Sequence, residues 1–221
     1  MKRAGMRKPL VGMLLCCTMM WTSCSTAWIG EAEQIVETLI PATTNLVTLV
    51  ATLQGGSISA ADVQTIQNAG AQAGADLQLL QSLITQYQKA DASAQPGLLN
   101  QIESALSGVQ ATLTSVLPAL HIKDATTQAK ITAVIGILLS EVQSVAAIVP
   151  LVSASASPGM VTMAAEQVRK QAPLTANEFV SSYNAIMTAK TGDTELDQAT
   201  AGMKVHLHGK FARWASAGFL K

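Results

Sequence analysis

The sequence predicts an all-α fold: an antiparallel up-and-down bundle of four long helices, with additional C-terminal helices, preceded by a cleaved signal peptide. Three observations lead there. Strand-type alternation is nearly absent, while apolar residues recur at spacings of three and four over most of the chain. Four periodic stretches between residues 30 and 149 are joined by short connections, which favour antiparallel neighbours. A basic head and a short apolar run open the chain.

Lys2, Arg3, Arg7 and Lys8 form the basic head, and Leu10 to Met20 follow as the apolar run. That run is too short for a bilayer, which needs about 20 residues. Cys16 and Cys17 lie inside it, where a thiol behaves as a small hydrophobe. Cys24 ends the tetrapeptide "WTSC", with Thr22 and Ser23 directly before it. This tetrapeptide resembles the lipobox of bacterial lipoproteins, which implies cleavage before Cys24 and acylation of its side chain. Trp21 departs from that pattern, which normally has an aliphatic residue there. The rival is ordinary cleavage after "STA", Ser25 to Ala27, which would discard Cys24 too. Neither route leaves a free thiol, so a disulfide framework and a cysteine-ligated zinc site are both excluded.

The first predicted helix carries Ile35, Leu39, Ala42, Leu46, Leu49 and Leu53 on one stripe, ended by Gly55 to Ser57. Pro41 falls inside it and is expected to kink it, since proline lacks a donor and clashes with the preceding turn. The second spans Ala61 to Lys89, with Val63, Ile66, Gly70, Ala73, Leu77, Leu80, Ile84 and Tyr87 on a heptad seam and "SAAD" capping its start. Leu98, Ile102, Leu106, Val109, Leu113 and Val116 mark the third, stopped by Pro118. Ile131, Ile135, Leu138, Val142, Val145 and Val149 mark the fourth, stopped by Pro150. Its apolar run, Ile131 to Leu139, is bounded by Lys130 and Glu141 and reads as a buried helix, at about half the length of a membrane span.

Residues 1–23 are therefore assigned to the signal, 24–149 to the four-helix bundle, 150–159 to a Ser/Ala/Pro linker and 160–221 to C-terminal helices packed on the bundle. Within the last segment a short helix is expected up to about Gln171. A second follows the capping box Thr175 to Glu178, carrying Phe179, Tyr183 and Ile186. A third is expected from Thr194 to about Ala215, with Leu196, Thr200, Met203, Leu207, Phe211 and Trp214 on one face. In "AGAQAGA", Gly70 and Gly74 each cost a helix about 1 kcal/mol relative to alanine, so a close helix neighbour is expected there.

Charge and chemistry narrow the function. Charged residues make up 13% of the chain, against roughly 25% in ordinary domains. Removing the signal removes four bases and leaves the mature chain near −4, with no dense basic face for nucleic acid. His206 and His208 would point about 200° apart on a helix and share a face only on a strand, where His121 could be a third ligand. No metal site is assigned. No Glu-x-x-His pair, haem motif or Gly-x-Ser-x-Gly elbow is present. Asp62, Asp76, Glu103, Asp124 and Glu141 are thinly spread and read as solvated charges. The sequence thus nominates no catalytic residue and no cofactor.

What remains is an envelope protein held at a membrane by Cys24, with Ser25 resembling a signal for onward sorting to the outer membrane, facing the periplasm. An interaction or scaffold role with an envelope protein partner is the expectation. The tail offers Lys210, Phe211, Arg213, Trp214 and Phe219 as an interfacial set. Two alternatives are a soluble periplasmic or secreted carrier of a small apolar ligand between the helices, with its cavity opened at Pro41, and a membrane-active protein that inserts the Ile131–Leu139 region.

Overall fold

The computed structural model describes residues 27–53, 58–119, 121–150 and 174–207. Among these the chain forms six α-helices and no strand: α1 (Ala27–Thr52), α2 (Ala60–Lys89), α3 (Gln95–Val116), α4 (Ala125–Ile148), α5 (Ala176–Thr188) and α6 (Thr194–Thr200). A single 3-10 turn, Leu117–Ala119, extends α3. The fold is all-α.

The helix starts follow from side-chain oxygens placed before them. Ser59 accepts from the Asp62 amide at 3.1 Å and Asp124 from the Thr127 amide at 2.6 Å. Thr175 and Glu178 form a reciprocal capping box, with Thr175 N donating to Glu178 Oε2 at 2.8 Å. Each cap satisfies a backbone donor that the first turn of a helix leaves without a partner. Pro41 does not end α1, which continues as one helix to Thr52.

The periodic stripes become the core. Every residue of the α2 seam is buried, as are Ile35, Leu39, Ala42, Leu46 and Leu49 of α1 and Ile131, Ile135, Leu138, Val142 and Val145 of α4. Contacts run from α1 to α2, α2 to α3, α3 to α4, and from α4 back to α1. The directions can be read from individual pairs. Trp28 at the start of α1 meets Tyr87 at the end of α2, with ring centroids 5.2 Å apart. Asp62 in the first turn of α2 accepts from the amide of His121, just beyond α3, at 3.3 Å.

The fifth helix lies on α4 and α1. It runs antiparallel to α4: Leu174 N donates to Ser144 Oγ at 2.8 Å at one end, and Lys130 Nζ donates to Ala189 O at 3.1 Å at the other. Midway, Tyr183 Oη donates to Ala42 O at 3.4 Å.

The C-terminal part corrects one expectation. The helix predicted to reach Ala215 ends at Thr200, and residues 203–207 are not helical. Met203 and Val205 are buried, while Lys204 and His206 point outward, a period of two. Two asparagines replace the lost helical hydrogen bonds. Asn184 Nδ2 donates to Val205 O and its Oδ1 accepts from Val205 N, both at 2.9 Å, and Asn45 Nδ2 donates to Met203 O at 3.1 Å. Met203 and Leu207 also fit a helical stripe, which is why spacing misassigned them. The signal segment, the short helix expected before Gln171 and residues 151–159 of the linker lie outside the described residues.

Candidate functional site

The unusual chemistry is on α4. Its two charged residues, Lys130 and Glu141, were expected to bound an apolar run from solvent. Both are buried instead, Glu141 completely. It occupies the core stripe, three residues after Leu138 and four before Val145. That spacing was visible in the sequence. The assumption that a lone carboxylate faces water concealed it.

Neither oxygen of the Glu141 carboxyl has a hydrogen-bond partner. Burial pushes its pKa up to about 9, and the nearby charges of Glu178 on α5 and Glu31 on α1 push the same way. The carboxyl is therefore neutral inside the folded protein at pH 7, because an unpaired buried charge costs far more than the proton it takes up. Lys130 is better served: besides Ala189 O it donates to Thr200 Oγ1 at 3.2 Å. Desolvation still lowers its pKa, against an opposing pull from Asp197. The two groups sit eleven residues apart on α4, about 16 Å along the axis, and so do not pair.

Asp62 also departs from the solvated reading. It is buried, receives the Ser59 hydroxyl at 2.6 Å and lies 3.8 Å from His121 Nδ1. The Ser59 bond is the main cause of its lowered pKa, with the His121 amide adding to it. The group ties the start of α2 to the connection before α4. His121 itself is largely exposed, with 83% of its side chain open.

A groove of about 500 Å³ runs between α2 and α3. Gln72, Asp76, Leu79 and Leu83 line one wall, and small residues including Ala105, Gly108 and Ala111 form the other. Leu79, half exposed, is the one large apolar side chain open to solvent among the described residues. The small residues let the two helices leave this depression. Gln72 Nε2 holds Asp76 by a 3.0 Å hydrogen bond at its edge.

Helices of a second kind of interest are α4 and residues Trp28–Thr52 of α1. Both are long and apolar enough, by length and composition, to cross a membrane, and about half of each is buried inside the protein. The sequence estimate for α4 stopped at Lys130 and Glu141. The helix itself runs for 24 residues and carries both charges within its length.

Cys24 and the tail residues Lys210, Phe211, Arg213, Trp214 and Phe219 lie outside the described residues, as does His208. Among the described residues no three His, Cys, Asp or Glu side chains gather to hold a metal. The structure thus brings together acids around α4, which spacing alone did not nominate. No protein-family model, curated protein sequence or solved structure matches this chain.

Proposed function

We propose that the protein is a non-enzymatic lipoprotein of the bacterial envelope: an up-and-down helical bundle tethered through acylated Cys24, which presents its helical faces to an envelope partner. The observation that carries this reading is Trp28, which is already helical and buried against Tyr87. Cleavage after Ala27 would make Trp28 the terminal residue and put a new ammonium at the positive end of the helix dipole. Cleavage before Cys24 instead leaves residues 24–27 between the new terminus and Trp28 in the sequence.

An anchor four residues before Trp28 also sets how the body sits. The end holding Trp28, Tyr87 and the C-terminal turn of α4 would face the bilayer closely. The α2–α3 groove, with Leu79 exposed, would be open along the side of the bundle for a partner. Outer-membrane placement facing the periplasm rests on Ser25.

The test is the intact mass and N-terminus of protein recovered from bacterial membranes, compared with Cys24→Ala. An acylated Cys24 is expected, with membrane retention lost in the variant. A soluble wild-type product beginning at Trp28 would overturn the reading.

A membrane-active role is the second reading, favoured by α1 and α4, which touch each other and are each long and apolar enough to span. In that case purified protein is expected to release dye from anionic liposomes. Intact liposomes at saturating protein would dismiss it.

A further inference from the structure

We infer that Glu141 is a proton-controlled latch for α5: while its carboxyl keeps its proton, α5 stays seated on α4 and α1, and loss of that proton lifts α5 away. The inference does not depend on the anchor reading.

It starts from the surroundings of one side chain. Glu141 has no exposed surface and neither of its oxygens is hydrogen-bonded. Among the described residues, the helices that pack most closely on α4 are α1, α3 and α5. The charged residues of α1 are Glu31, Glu33 and Glu37, that of α3 is Glu103, and that of α5 is Glu178. Every one is an acid. The single cation on α4 itself, Lys130, is three turns away and engaged with Ala189 and Thr200. An ionised Glu141 would therefore meet low dielectric and like charge together, with no cation on these three described helices.

The carboxylate must then reach water, and the seam under α5 is the weakest route. At 13 residues, α5 is about the length at which a helix is marginal without tertiary support. Its polar ties to the rest of the protein include the bonds at Ser144, Lys130 and Ala42. By contrast, α2 and α3 are longer and pack on each other. Glu31 and Glu178 are both exposed, and each raises the cost of a charge at Glu141. Opening at this seam would be a local transition of the kind short peripheral helices undergo.

Hydrogen exchange of the full mature chain, followed by mass spectrometry between pH 6 and 9 and corrected for intrinsic rates, tests the latch. Opening of residues 176–188 is expected to rise by up to about tenfold per pH unit in the wild type, since one proton is released on opening. Residues 60–89, which open only with global unfolding, are expected to share the slope but to stay better protected than α5 at every pH. The slope is expected to vanish in Glu141→Gln, and equally in Glu141→Met, which keeps the length of the side chain should the amide variant fail to fold. A wild-type slope of zero, an unchanged slope in the variants, or residues 60–89 no better protected than α5 would each overturn the latch.

Discussion

Replacing Glu141 with glutamine is expected to raise the melting temperature at pH 7 and to move the pH of greatest stability from mildly acidic to neutral. The sign follows from where the proton is held. The folded carboxyl has its pKa pushed up to about 9, whereas in the unfolded chain it is near 4.5. Between those values the folded state holds a proton that the unfolded state has released, so stability falls as pH rises. At about 1.4 kcal/mol per pH unit, the cost at pH 7 is on the order of 3 kcal/mol. For a chain of this size that is roughly 6–12 °C in melting temperature.

Asp62 acts on the opposite limb. Its lowered pKa, owed first to Ser59, contributes stability that is present above the ordinary aspartate value and is lost as pH falls below it. Between the two limbs the wild type should be most stable in mild acid. Glutamine at 141 is neutral at every pH and removes the alkaline limb only. Thermal melts of both proteins from pH 3 to 9 check this. A wild-type optimum at pH 7–8, with no gain in the variant, would show that Glu141 ionises freely in the folded state.

Gly70 and Gly74 should respond in opposite directions to alanine. A Cβ at Gly70 would overlap Val47 Cγ2 across the α1–α2 interface. Valine has one strongly preferred rotamer in a helix, so Val47 cannot swing aside cheaply. Gly70→Ala is therefore expected to cost about 1–3 kcal/mol from overpacking, partly offset by about 1 kcal/mol of helix propensity. Adding Val47→Ala should recover most of the loss. A Cβ at Gly74 meets nothing within 4 Å, so Gly74→Ala is expected to stabilise by roughly 0.5–1 kcal/mol. Urea unfolding of the four proteins measures both. Equal effects at the two glycines would mean that close approach at Val47 does not set the α1–α2 distance.

This pair of glycines also marks how far sequence reasoning reached. The cost of glycine in a helix was legible at both positions, and a close neighbour was the expected compensation. Only Gly70 has one. The difference depends on which side of α2 meets α1, and residue spacing within α2 carries no information about the depth of a partner's side chain.

By itself the sequence determined the all-α class, the four long apolar stripes and the caps at Ser59 and Thr175. Each of these depends on residues within a few positions of one another, and helical geometry translates such spacing directly into a face. Three things were decided by the tertiary structure. Residues 203–207 leave the helix where Asn45 and Asn184, distant in sequence, supply backbone partners. Lys130 is buried because Ala189 and Thr200, far along the chain, supply its hydrogen-bond partners. Glu141 itself lies on the core stripe by spacing, but whether a charge on that stripe finds a counter-ion depends on the helices packed around it, and among the described residues α1, α3 and α5 bring only acids.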